Sequence, residues 1–195
     1  MSREQILDEF KDAGALLEGH FVLSSGLHSS AYIQCARVLM DAKRAARLCG
    51  EVKEKVHAAG FKEFDMVASP AMGGVVVGYE MGRQLDCPSI FFERVDGTLT
   101  LRRGFSIAKG ARCLMMEDIV TTGLSSRECI DAITNAGGQV VAASCLIDRS
   151  AGKSELGVPL VALLEMEVPA YAEADMPPEL RAIPVEKPGS RELHS

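Results

Sequence analysis

The chain lacks most of the features that would classify it at a glance. Its 195 residues carry 21 Lys and Arg against 27 Asp and Glu, a formal charge of -6. No general basic surface is therefore available to attract nucleic acid or anionic lipid, and any anionic ligand must be held locally. There is no C-x-x-C pair. Cys35, Cys49, Cys87, Cys113, Cys129 and Cys145 are scattered through apolar stretches, which reads as buried free thiols in a reducing compartment rather than a zinc site or a disulfide frame. No apolar run approaches the roughly 20 residues of a membrane helix, and the opening MSREQILDEFKDAG is too acidic for a secretory or transit signal. These absences point to the cytoplasm, with no membrane and no nucleic-acid partner. Repeats, linkers and low-complexity tracts are missing too, so the length predicts one domain over residues 1–195.

What is present alternates between helix and strand. Ile6, Phe10, Ala13 and Leu17 recur at helical spacing over Arg3 to Glu18, followed by a Ser- and Gly-rich cover from His20 to Gln34. Asp41 is placed to cap a second helix with Ala45, Leu48, Cys49, Val52, Val56 and Ala59 on one face, and Gly60 is placed to end it. Apolar strands are predicted at 65–68, 89–92, 111–116, 140–147 and 160–164, with helices at 74–85 and 125–136 between them. Fully apolar strands separated by helices predict an α/β fold whose mostly parallel sheet is covered on both faces. Val95-Asp96-Gly97-Thr98 signals a hairpin or mobile loop. Five prolines from Pro169 to Pro188 argue against a long C-terminal helix.

In such sheets ligands collect where a strand end leads into a helix N-terminus. Glu117-Asp118-Ile119-Val120-Thr121-Thr122-Gly123-Leu124-Ser125 supplies that arrangement after an apolar strand. Backbone N–H groups and the hydroxyls of Thr121, Thr122 and Ser125 suit a phosphate, with Gly123 permitting close approach. Ser125-x-x-Glu128 has the form of a capping box. The two carboxylates would repel phosphate and suit neighbouring ribose hydroxyls instead. The residues alone leave a second reading open: an ordinary capped turn beside a solvated strand end.

Cys113 to Ser125 resembles the phosphoribosyl diphosphate signature of type I phosphoribosyltransferases, in which two acids hold the ribose hydroxyls and a T-T-G loop holds the 5-phosphate. The resemblance extends along nearly the whole chain to the orotate phosphoribosyltransferase family. Residues 19–32 (GHFVLSSGLHSSAY) are similar to its N-terminal hood, contributed mainly by residues 1–40. Pro70-Ala71-Met72-Gly73-Gly74 is similar to its diphosphate loop, Leu101-Arg102-Arg103-Gly104-Phe105 to its short-loop branch, and Ile147-Asp148-Arg149-Ser150 to the segment whose arginine pairs with the orotate carboxylate. The resemblance implies phosphoribosyl transfer to orotate in pyrimidine biosynthesis. It implies orotate contacts from Thr121, Arg149, Ser25, Gly26 and Leu27. It also implies Mg²⁺ carried mainly by the donor with no direct protein ligand, and a homodimer that shares its mobile loop. Without it, Arg149 reads as the partner of a nearby acid.

The chain departs from the family pattern at four places. Leu124 replaces a second glycine, Gly73 and Ser24 stand where relatives have lysines, and no lysine occurs between Phe64 and Lys109. Arg94, Arg102 and Arg103 are the candidates to supply the missing catalytic charge, and His28 reads as a surface residue. Gly152-Lys153-Ser154 is no P-loop, because Ile147 occupies the position that needs glycine. Two rivals remain: transfer to another base, and a noncatalytic regulator that senses the donor.

Overall fold

The computed structural model describes residues 1–23 and 26–186. The chain opens with α1 (Arg3–Asp12), β1 (Leu16–Val22), β2 (His28–Ile33) and α2 (Cys35–Leu39). It continues through α3 (Ala42–Ala58), β3 (Met66–Pro70), α4 (Gly74–Leu85), β4 (Ser89–Val95), β5 (Thr98–Leu101), β6 (Arg112–Val120), α5 (Leu124–Asn135), β7 (Gln139–Asp148) and β8 (Leu160–Glu165). Short elements close it: β9 (Ala170–Tyr171), α6 (Pro178–Arg181) and β10 (Val185–Glu186). Among the described residues no helix is long and apolar enough to cross a membrane.

Two compact units emerge. One is Leu39–Met166 with Met1, and the other is Ser2–Val38 with the chain from Glu167 onward. The smaller unit is a four-stranded sheet in the order β10-β1-β2-β9, so the hood draws two of its strands from the C-terminal end as well as from residues 1–40. Leu17, expected on the first helix, lies in β1. Gly14, at φ +59, ends the helix, and the chain turns back as strand. His28 is half-buried rather than a surface residue: its Nδ1 lies 2.7 Å from Nε2 of the buried His20.

The larger unit holds a six-stranded sheet in the order β5-β4-β3-β6-β7-β8. All neighbours are parallel except β4 and β5, which form a hairpin pairing Val95 with Thr98. The two-residue Asp96-Gly97 turn has positive φ at both positions (48 and 84), as a right-twisted hairpin requires. Asp41 caps α3 by accepting from the Lys43 and Arg44 N–H groups. Residues of β6 alternate between faces. Cys113 and Met115 join Cys129, Ile130 and Ile133 of α5 in one buried cluster with Phe92 and Ala143, while α4 packs against β3, β4 and β6. The six cysteines are free, five of them buried.

Strand order fixes where a ligand can enter. From β3 the chain passes through α4 to β4 on one side, and from β6 it passes through α5 to β7 on the other. The switch point therefore lies between the carboxyl ends of β3 and β6, the place where such sheets open a crevice. Close packing of α4 keeps this crevice in shape. A Cβ on Gly82 would meet the Cys87 carbonyl oxygen and the Ser89 Cβ, both at 2.9 Å. Alanine usually favours a helix interior over glycine by about 1 kcal/mol. Here Gly82→Ala is expected instead to destabilise by about 1–3 kcal/mol, read as a lower denaturant midpoint with an unchanged slope.

Candidate active site

The two loops at the switch point are those picked out in the sequence. Strand β3 ends at Pro70, and Ala71, Met72 and Gly73 lead into α4 through a cis Ala71-Met72 peptide. Strand β6 runs on past Glu117 and Asp118 to Val120, and Thr121, Thr122 and Gly123 lead into α5.

The strand alternation that builds the core also separates the two acids. Glu117 follows Cys113 and Met115 to the α5 face, where the Ser126 hydroxyl donates to its Oε2 at 3.1 Å. Asp118 faces the other loop: a Cβ on Gly73 would lie 2.7 Å from its Oδ1. Glycine at 73 is thus set by the close approach of the β3–α4 loop to this carboxylate. Any side chain there, lysine included, would require the loop or the acid to move. Glu117 is 7 % exposed. Burial first, and then the neighbouring Asp118, push its carboxyl up to about 8 against an opposing pull from Ser126. Asp118 is raised by burial too, partly offset by backbone N–H donors at Ile119 and at its own position.

Helix α5 starts one residue earlier than expected, and the Ser125 capping box does not form. Gly123 takes the N-cap at φ 73 and, lacking a side chain, makes no side-chain cap bond; a Cβ there would meet Leu156 Cδ2 at 2.8 Å and Arg127 Nη1 at 3.0 Å. Glu128, the box's intended acid, pairs with Arg94 instead. Among the described residues the Leu124 N–H reaches only Thr122 Oγ1, at a long 3.4 Å. The first N–H groups of α5 are consequently left to whatever the Thr121–Gly123 loop encloses, and the helix dipole favours an anion there. Thr121, Thr122 and Leu124 are exposed and Ser125 is half-buried. Leu124 projects outward, so the missing second glycine leaves the cradle unobstructed.

Arg127 was not singled out in the sequence. Its Nη1 donates to the carbonyls of Thr122 (3.1 Å) and Glu155 (3.4 Å), tying the β6–α5 loop to the turn after β7. That turn carries Arg149, which is half-buried and donates its backbone N–H to Val120 O at 2.8 Å. The structure thus brings Arg149 beside the end of the acidic strand.

Two of the three arginine candidates are engaged with acids, Arg94 with Glu128 and Arg103 with Glu93. Besides Glu128, Arg94 contacts the Gly97 carbonyl. Arg103 makes a two-pronged pair with Glu93 (3.0 and 2.7 Å) and stacks over Phe91, and Arg102 is exposed nearby. In the hood unit, Gly26 (φ 80) closes a turn by donating to Leu23 O at 2.9 Å, and Leu27 is exposed. Ser24 and Ser25 lie outside the described residues.

The family model for the phosphoribosyl transferase domain matches residues 38–167. This chain belongs to the phosphoribosyltransferase family. Within the family it is similar to the orotate phosphoribosyltransferase of Caulobacter vibrioides, 55% identical over 193 residues and 99% of each chain. To that of Rhizorhabdus wittichii it is 56% identical over 191 residues, 98% of this chain and 97% of the relative. The solved orotate phosphoribosyltransferase from Aeropyrum pernix shares 29% identity at a TM-score of 0.72, covering 83% of this chain and 93% of that one. The fold is that of the type I phosphoribosyltransferases, as the signature from Cys113 to Ser125 implied.

Burial of Glu117 has a thermodynamic consequence for this member of the family. Between its ordinary value of 4.5 and about 8, the folded chain holds a proton on Glu117 that the unfolded chain has released. Stability from this group is full at the acid end and falls as pH rises through that window, by at most about 1.4 kcal/mol per pH unit. Glu117→Gln removes the titration. Its melting temperature should therefore decline less than the parent's between pH 5 and pH 8.5. Parallel declines would contradict the assignment.

Proposed function

We propose that the chain transfers the phosphoribosyl group of 5-phosphoribosyl 1-diphosphate to orotate, giving orotidine 5-phosphate and diphosphate in pyrimidine biosynthesis. One observation carries this reading: Glu117, Asp118, the uncapped start of α5 and Arg149 converge on the carboxyl ends of β6 and β7. The 5-phosphate takes the Thr121–Ser125 N–H groups and hydroxyls, with Ile119 and Val120 holding the loop on the strand. Ribose 2- and 3-hydroxyls donate to the two carboxylates. The diphosphate lies along Pro70–Gly74, whose backbone leaves room beside Asp118.

Arg149 offers two parallel N–H donors to the planar orotate carboxylate, with Thr121 just past the end of the neighbouring strand β6 on the same acceptor side. The orotate ring nitrogen forms its bond to C1 as the C1–oxygen bond to diphosphate breaks, and the electron pair leaves with diphosphate. Positive charge develops on the ribose in between. The protein works chiefly by positioning and by placing charge, and no covalent intermediate is needed.

Among the described residues no group of three or more His, Cys, Asp or Glu is arranged to hold a metal. The donor set suits Mg²⁺ arriving on the donor's own oxygens and water, as a hard cation that keeps part of its hydration shell. When bound there it supplies charge against the diphosphate. The chain works in the cytoplasm as a homodimer whose mobile loop, with Arg94, Arg102 and Arg103, serves the neighbouring subunit's site.

Mixing the protein with orotate, the donor and Mg²⁺ should change orotate's ultraviolet absorbance. No change, with donor binding retained, would mean a donor-sensing protein; turnover with another base and none with orotate would reassign the acceptor. For the loop, Arg102→Ala and Arg103→Ala are each expected to lower kcat on the order of a hundredfold. Unchanged turnover in both would remove the arginines from the chemistry.

A further inference from the structure

Ser126 occupies the first turn of α5 and is 2% exposed. A serine in a helix ordinarily returns its hydroxyl to the carbonyl four residues back or turns it to solvent. Neither is seen here. The carbonyl four residues back, that of Thr122, accepts from Arg127, and the Ser126 hydroxyl points inward to Glu117 Oε2 at 3.1 Å. A hydroxyl buried to this degree costs stability unless it is bonded, and its bond is made to the group that the proposed function uses on the donor.

We propose that Ser126 is a positioning residue for donor recognition, holding the plane of the Glu117 carboxylate by occupying Oε2 while the carboxylate receives a ribose hydroxyl. This rests on the reading that Glu117 binds the ribose.

The surroundings give the bond its leverage. Cys129 on α5 and Cys145 on β7 lie near Glu117, Asp118 follows it on β6 and acts on it through its charge, and Asp148 at the end of β7 acts on Cys145. The two thiols are raised by burial and by these carboxylates, so they stay neutral and Asp118 supplies the competing charge. Of the influences on Glu117, burial and Asp118 favour the protonated acid, and Ser126 favours the carboxylate. A ribose hydroxyl donates to a carboxylate, so Ser126 supports the binding-competent state.

Donor and orotate KM values measured from pH 6 to 9.5 for Ser126→Ala, Ser126→Cys and Glu117→Gln test this. Ser126→Ala should raise the donor KM about tenfold at pH 7, as expected for a lost hydrogen bond to a charged group. The defect should fade above pH 9, where Glu117 ionises without help, and the orotate KM should barely move. Ser126→Cys keeps much of the volume with a far weaker donor and should show the same pattern, which covers the case in which the alanine variant folds poorly. An unchanged donor KM at pH 7, or one raised by the same factor at pH 7 and pH 9.5, overturns the inference. If Glu117→Gln leaves the donor KM unaltered, the ribose reading itself fails. If Glu117→Gln weakens the donor and Ser126→Ala does not, only the role of Ser126 fails.

Discussion

A carboxylate resists burial because water solvates its charge far better than protein does, and β6 places two of them, in sequence, directly after the wholly buried Cys113, Leu114, Met115 and Met116. Much of the site follows from how that cost is met. Strand alternation sends Glu117 toward α5 and Asp118 toward the β3–α4 loop, so the charges are handled by different elements. Ser126 answers the first and backbone N–H donors the second. Gly73 is the residue that lets the diphosphate loop close beside Asp118. Burial and Asp118 favour the protonated form of Glu117, whereas its ionised form accepts a hydroxyl hydrogen bond more strongly.

The same geometry separates what binds the donor from what moves charge during transfer. The proposed donor cradle is built on regular elements: two parallel strands, a helix start without a side-chain cap, and Arg127 fastening the loop to the turn that carries Arg149. The arginines offered as replacements for the family's lysines lie on the hairpin and the loop after it, and two of them are held by Glu128 and Glu93. An arginine recruited to diphosphate must first leave its acid. These surface pairs are individually weak, so such a release is compatible with a loop that closes during turnover.

The parts of the structure governed by local pattern were legible in the sequence. The continuous apolar runs at 111–116 and 140–147 marked the central strands, Asp41 and Gly60 bracketed α3, and Asp96-Gly97 named its hairpin. Features fixed by contacts distant in sequence were not. Leu17 fits a helical stripe, yet Gly14 ends that helix. The hood's outer strands come from residues 170–171 and 185–186, which no local pattern connects to residues 16–33. Ser125 looked like a cap because a serine three residues before a glutamate usually is one. The cap falls on Gly123, where Leu156 and Arg127 leave no room for a Cβ, and the next serine, Ser126, points toward Glu117. In the sequence Ser126 carried no separate signal.

On the proposed reading, the buried Glu117 gives up its proton when the donor's ribose arrives. Isothermal titration of the donor with Mg²⁺ into the protein at pH 7, repeated in buffers of different ionisation enthalpy, counts that proton directly. Binding should release more protons from the parent chain than from Glu117→Gln, by a difference approaching one, as expected for a carboxyl near pKa 8. Equal proton counts in the two proteins would contradict the account.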